Sequence, residues 1–426
     1  MTNLRSRRST AWQGGCVGGW LFALLCTILS ACTTPRPTTP PDALNCDLKQ
    51  FVVNDAFSGW QLYRAEQVQL FGLTDPHPSF NMMVLSAGGE YGAYGAGFLQ
   101  GWASVGAAAK PSPRGDIQVV TGVSTGAILS THVFLGMDAE IEALYRNASG
   151  PQIYKSRSLL GLLSANSLLD AAGKEQLIQS ALTPDMIDRV AAAPLGRFLY
   201  LGVVDLDSGR FLRIDMVKLA KTLPQPRRDS CYRGVVSASS AIPIAFPPYF
   251  IDGMMLTDGG ARRHLFLTEV PGDALQPGVT RRMFSFVHGD LDVGCTTTGN
   301  GLLPITARAL DLFSDQSFKD SIALSAAKAA GPVSPQNPER LFHTSLYAAA
   351  DRAAVACAPE LSHCTTSSGT LSEDLFCQPF MRCLADRGRE EGRASALGTQ
   401  TWRTLESLNL SSTPSCKSPE RGLRQR

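Results

Sequence analysis

The chain has almost no excess of charge. Across 426 residues, 39 Lys and Arg stand against 37 Asp and Glu, for a formal net charge of +2. The two signs are mixed along the sequence, so no basic stripe is offered to a phosphate backbone and nucleic acid is not expected as a partner. Cysteines at CxxC spacing are missing, and His363 is the only histidine near the late cysteines. A zinc site is therefore not expected, and neither a metal nor a cofactor is needed. A proper GxGxxG fingerprint is absent, which removes the main signal for a dinucleotide site. No repeat of solenoid period occurs. The apolar run "CVGGWLFALLCTIL" is too short and too interrupted by glycine to make a good membrane span.

That run is nevertheless informative. Arg5, Arg7 and Arg8 precede it and "LSAC", Leu29 to Cys32, ends it. A basic start, an apolar centre and small residues at the end read as an export signal. "LSAC" resembles the lipobox of bacterial lipoproteins, in which the signal is cut before the cysteine and that cysteine carries lipid. On this reading residues 1–31 are a signal peptide and Cys32 is the lipidated first residue of the mature chain. An ordinary signal peptide with an incidental cysteine is the alternative. Lipidation implies a lipid anchor in the bacterial cell envelope, with affinity growing by about 0.8 kcal/mol per buried methylene. Thr33 after the cysteine resembles the pattern passed on to the outer membrane. Residues 32–45 are Pro and Thr rich and read as a tether.

The folded body is expected over 46–400, with a cysteine-rich part from about 340 to 400, and residues 401–426 as a loose tail. Eight cysteines follow Cys32, namely Cys46, Cys231, Cys295, Cys357, Cys364, Cys377, Cys383 and Cys416. An even set in an exported chain reads as disulfides. The short loops "CAPELSHC" and "CQPFMRC" suggest Cys357 with Cys364 and Cys377 with Cys383. Oligomeric state is not readable.

Hydrophobic residues make up 44% and charged residues 18%, an ordinary globular balance. "FNMMVLSAG", "DIQVVTG", "RFLYLGVVDLDSG", "YFIDGMMLTDGG" and "RRMFSFVHGD" read as strands with helical stretches between most of them. Continuous apolar strands alternating with helices predict an α/β fold with a largely parallel sheet. Leu302 to Ala330 reads as a long helix stopped by Gly331 and Pro332.

Three glycine-bearing motifs lie on this scaffold. In "TGVSTGAIL", Ser124 stands between Gly122 and Gly126 at the junction of a strand and a helix. A catalytic serine needs its oxygen lifted off the fold by a sharp, strained turn, and flanking glycines relieve the collisions there. GxSxG alone leaves a nucleophile elbow and a structural turn both open. In "VLSAGGEYGAYGAGFLQGW", a strand ends in Gly88 and Gly89 before a small-residue helix. Bare backbone N–H groups at a helix start suit an oxyanion, each donor being worth about 3 to 4 kcal/mol in the transition state. In "LTDGGARRH", Asp258 precedes Gly259 and Gly260, an arrangement that turns a carboxylate into a cleft but is also a common turn.

Together and in this order the motifs resemble the patatin-like phospholipase family, over roughly Asn81 to Ala396. "GAILSTHVFLG", "VVSASSAIPIAFPP" and "CLADRGREEGRA" extend the resemblance. The resemblance implies a three-layer α/β/α fold and a Ser-Asp dyad without histidine. Ser124 becomes the nucleophile, Asp258 the base, and Gly88, Gly89 and Glu90 the backbone oxyanion donors. The substrate implied is a lipid or phospholipid acyl ester. Departures are Ala87 in place of the family's first loop glycine, Tyr91 where arginine is usual, and His264 where asparagine is frequent. An aspartate near its ordinary pKa of about 3.9 is a weak base toward serine, and apolar burial strengthens it.

Two rival readings stay open at this level. His288 follows Ser124 and Asp258 in the order of an α/β-hydrolase triad. A membrane-anchored binding module that keeps the fold without the chemistry is the other. His132, eight residues beyond Ser124, lies about two helical turns away and is too far to serve it. Residues 156–170 and the pair Met254 and Met255 are apolar stretches suited to bordering an acyl groove or to core.

Overall fold

The computed structural model describes residues 43–53, 79–105, 117–157, 165–194, 196–270, 275, 278–289, 291, 297–364, 376–397 and 402–405. Cys32, Cys295, Cys416 and most of the expected tether lie outside the described residues.

The apolar runs form a ten-stranded sheet. In chain order its strands are β1 (Val52–Val53), β2 (Ser79–Leu85), β3 (Ile117–Gly122), β4 (Phe198–Asp205), β5 (Arg210–Asp215), β6 (Tyr249–Ile251), β7 (Met254–Asp258), β8 (Thr280–Val287), β9 (Thr344–Ala349) and β10 (Arg403–Thr404). The spatial order is β1-β5-β4-β3-β2-β8-β9-β10, with β7 against β4 and β6 against β7. The centre, β4-β3-β2-β8-β9, is parallel throughout. Antiparallel partners close it on both sides: β5 and β7 on β4, and β10 on β9. The expected parallel α/β sheet is therefore present at the core of a mixed sheet.

Strand burial explains why these runs carry no polar alternation. Met83 and Leu85 pack into one apolar cluster and Met82 and Val84 into another, because successive side chains leave opposite faces and both faces are covered. Helices α1 (Gly92–Ser104), α2 (Thr125–Leu135), α3 (Asp138–Asn147), α4 (Ala172–Ala181), α5 (Pro184–Ala191), α6 (Met216–Thr222) and α7 (Arg227–Ser239) contribute to the first cluster. Helix α8 (Leu302–Ala330) covers the other face with Phe318, Ile322 and Ala329. Helix α9 (Asp351–Cys357) and helix α10 (Gln378–Ala396) return to the first. The result is a three-layer α/β/α arrangement.

The run "YFIDGMMLTDGG" is two strands and not one. Asp252 and Gly253 take φ of 51° and 79° and turn β6 back onto β7, as hairpin turns of this kind require. The Asp252 carboxylate then accepts from the N–H groups of Cys46, Asp47 and Leu48, fastening the start of the described chain.

Disulfides differ from the expected pairs. Cys357 bonds Cys383, Cys364 bonds Cys377, and Cys46 bonds Cys231. Cys377 caps the start of α10 and Cys383 lies within it. Six residues of helix separate their Cα atoms by about 9 Å, beyond disulfide reach. A 3-10 turn over Ala358–His363 likewise holds Cys357 apart from Cys364. Once these turns form, each cysteine finds its partner on the opposite segment.

Candidate active site

Strand β3 ends at Gly122 and α2 begins at Thr125, so the chain reverses within two residues. Ser124 takes φ 56° and ψ −120°, a strained backbone worth about 1 to 3 kcal/mol. A Cβ on Gly122 would lie 2.5 Å from the Gly126 carbonyl oxygen, and one on Gly126 would lie 2.3 Å from the Leu85 oxygen. The GxSxG spacing is thus a packing requirement of the turn. Ser124 N donates to Ser239 Oγ at 3.2 Å, and the Ser239 hydroxyl donates to the Gly202 carbonyl at 2.7 Å.

Asp258 closes β7, and its N–H donates to the Ala241 carbonyl at 2.9 Å. Its Oδ1 accepts from Gly260 N at 2.7 Å, while Gly259 opens a 3-10 turn over Gly259–Ala261. Oδ2 has no well-formed hydrogen bond among the described residues. Burial pushes the Asp258 carboxyl up to about 6, against opposing contributions from the Ser124 hydroxyl, the Gly260 N–H and the Lys174 ammonium. Ser124 is 4% exposed and Asp258 3%, so a reacting group must reach them through an internal space.

The glycine-rich loop lies beside this pair. Gly88 takes φ 152° and Gly89 φ 55°, and a 3-10 turn over Gly89–Tyr91 leads into α1. The N–H groups therefore sit at the positive end of a helix. Glu90 sends its side chain elsewhere, with Oε2 accepting from Cys377 N at 3.0 Å. Tyr91, at the position where the resemblance leads one to expect arginine, stacks edge-on with Phe380 at 5.7 Å. An aromatic contact replaces a cation there. His264 joins loop and carboxylate turn: its carbonyl accepts from Ala87 N at 2.7 Å, and its Cε1 lies near Gly260.

Ser124 and Gly89 open onto a narrow cavity of about 70 Å³. Its wall is apolar, drawn from Ile128 of α2, Leu144 of α3, Leu177 and Ile178 of α4, Val236 of α7 and Phe376 before α10. Among the described residues, Lys174 is the only charged one in that wall. Burial brings its ammonium down to about 8, with Glu175 and Asp258 opposing the shift. Neither Lys174 nor Ser239 was signalled by sequence pattern; Ser239 lies inside the quoted "VVSASSAIPIAFPP" stretch, which was its one trace. Met254 and Met255 do not line the cavity, and Met254 packs on the main core. Of residues 156–170, those at 158–164 lie outside the described residues, while Leu169 is buried core.

His288 and His132 stand apart from the pair. His288 Nδ1 pairs with the Ser86 carbonyl at 2.8 Å, its N–H donates to Ser86 Oγ at 2.8 Å, and its Nε2 abuts α1 at Gly95. It supports the glycine loop from below and makes no hydrogen bond to Ser124 or Asp258 among the described residues. Burial lowers its pKa to about 4, so it is neutral near pH 7. His132, also lowered to about 4 by burial, faces a separate groove behind α2 and α3. No helix among the described residues is long and apolar enough to cross a membrane, and no His, Cys, Asp and Glu cluster suited to a metal occurs there.

No curated protein matches the sequence significantly. Among solved structures, VipD from Legionella pneumophila is similar at TM-score 0.34 and 14% identity, over 75% of this chain and 67% of that one. Human GIVD cytosolic phospholipase A2, solved with methyl gamma-linolenyl fluorophosphonate, is similar at TM-score 0.27 and 10% identity, over 79% of this chain and 62% of that one. Residues 83–270, which run from β2 past Ser124 and Asp258, match the family model of the patatin-like phospholipases.

Proposed function

We propose that the protein is a lipid acyl hydrolase of phospholipase A or lysophospholipase type, acting through Ser124 and Asp258. The observation that carries this reading is a serine in a strained turn, at the wall of an apolar cavity, beside a buried carboxylate. An acyl chain fills the cavity and brings its ester carbonyl to Ser124. Asp258 takes the hydroxyl proton as Oγ bonds to the carbonyl carbon, and the N–H groups of Gly88, Gly89 and Glu90 hold the oxyanion. Collapse breaks the ester bond, and the leaving alcohol receives the proton from Asp258. Water then attacks the acyl-enzyme and gives a proton to Asp258, which passes it to Ser124 Oγ as the Oγ–acyl bond breaks, releasing fatty acid and restoring both groups. A carboxyl near 6 is a stronger base than an ordinary aspartate and is ionised at pH 7.

We further propose that Cys32 carries lipid and the Pro and Thr rich segment behind it tethers the domain to a bacterial membrane, the outer membrane by the residue at 33. Apolar lining and the missing loop arginine favour recognition of the chain over recognition of an anionic headgroup.

The test is release of fatty acid from a lysophospholipid and hydrolysis of a nitrophenyl ester, with labelling by a fluorophosphonate. Wild-type activity and labelling that vanish in Ser124→Ala support the reading. A folded parent that neither turns over nor labels makes the protein a binding module instead.

A further inference from the structure

Lys174 is an ammonium in a cavity whose remaining wall carries no charge among the described residues. Its side chain is 5% exposed, and burying an ammonium costs several kcal/mol unless its protons are well used. They are. Nζ donates to the carbonyls of Ser237 at 3.1 Å and Ser240 at 3.3 Å, and approaches Ser240 Oγ at 3.4 Å. The rings of Phe246 and Tyr249 flank it at 5.0 and 5.3 Å.

Those carbonyls end α7, where a helix leaves orphan acceptors and partial negative charge. The same five-residue stretch holds both halves of the candidate site. Ser239 Oγ accepts from Ser124 N, and the Ala241 carbonyl accepts from Asp258 N. The charged groups facing the ammonium are Glu175, with Oε1 at 3.7 Å, and Asp258. Glu175 joins the same end of α7, its Oε2 accepting from the Ser237 hydroxyl at 2.6 Å.

We infer that Lys174 is a positioning residue for the Ser124–Asp258 pair, fixing the end of α7 so that Ser239 and Ala241 hold the two groups in register. The inference rests on the proposed roles of Ser124 and Asp258. With its three protons turned to two carbonyls and a hydroxyl, Lys174 is not placed to serve as the base. Its charge also stabilises the ionised form of Asp258.

The experiment is ester hydrolysis by the full chain in detergent from about pH 5 to about pH 10, for wild type, Ser124→Ala, Lys174→Met and Lys174→Arg. Met is expected to lower kcat at least about tenfold with little change in KM, and to move the acid limb up by about one pH unit. Arg keeps the wild-type limb. Wild type shows a second inflection near 8, where Lys174 loses its proton, and Met lacks it. An unmoved acid limb in Lys174→Met, whatever its rate, reduces Lys174 to packing and overturns the inference. Where Met does not fold, Lys174→Gln is read in its place, and an unmoved acid limb in that variant overturns the inference equally. Undiminished activity in Ser124→Ala removes the underlying reading instead, so the two failures are distinguishable.

Discussion

Gly88 and His288 are in such close contact that a Cβ on the glycine would lie 1.3 Å from the histidine carbonyl oxygen. The glycine loop therefore rests on β8 and its end, and the position admits no side chain without moving one or the other. Gly89 differs, with open space around its missing Cβ. Gly88→Ala is expected to lower kcat for ester hydrolysis by about 100-fold or more, as loss of an oxyanion donor does. Gly89→Ala, strained only by its φ of 55°, costs about 1 to 2 kcal/mol of stability and less activity. Steady-state rates beside thermal melts separate the two.

His288→Ala tests the triad. Losing a buried ring with its Ser86 bonds should cost about 2 to 4 kcal/mol of stability. The rate per folded molecule should stay within about tenfold of wild type, because Nδ1 serves Ser86 and not Ser124. A folded variant slower by about a thousandfold or more would assign the base to histidine.

On the proposed mechanism the pKa of Asp258 governs activity, and by linkage it also bears on stability. Activity should rise with pH through about 6, as the carboxyl ionises. Stability runs the other way. The folded carboxyl holds its proton more tightly than the unfolded one at 3.8, so the penalty is absent below that value and complete above about 6. At about 1.4 kcal/mol per pH unit the penalty is on the order of 3 kcal/mol. Asp258→Asn, inactive, should gain about that much on wild type between about pH 4 and about pH 8, read from denaturant midpoints.

Cys46 and Cys231 are separated by 185 residues in sequence, so their bond removes a large loop from the unfolded chain. Replacing both with serine should cost about 2 to 5 kcal/mol. The Asp252 carboxylate still grips the N–H groups of residues 46–48, so activity at low temperature should survive. Unchanged melting in the double variant would remove the bond from the native molecule.

Ile178 of α4 stands in the cavity wall and is buried. Ile178→Trp fills acyl space without touching Ser124. Long-chain nitrophenyl esters should lose at least about tenfold more kcat/KM than short ones. Equal losses would mean that the chain lies elsewhere.

Motifs fixed by local sterics were legible before any fold was known. GxSxG announces a turn because Gly122 meets the Gly126 backbone and Gly260 meets the Asp258 carboxylate within their own motifs, whereas Gly126 and Gly259 are also held small by the distant backbones of Leu85 and Gly202. The apolar runs from β2 to β8 were equally clear, since both faces of a central strand are buried. The outer strands were less so. β9 and β10 owe their pairing to neighbours some sixty residues away in sequence, β5 folds back on β4 as a hairpin, and "YFIDGMMLTDGG" hid a second hairpin inside one apolar run.

Distant packing decided the rest. Lys174 reads as an ordinary helical lysine until α4 lays it against the end of α7, and the cysteine pairs stay ambiguous until α10 sets its pitch. His288 keeps the chain order of a triad, yet β8 carries it beneath the glycine loop. Local chain geometry, which the sequence by itself determined, names Ser124, Asp258 and the loop at Gly88. Their burial, the cavity that Ser124 and Gly89 open onto and the charge in its wall arise from contacts between segments far apart in the chain, and only the tertiary structure decided those.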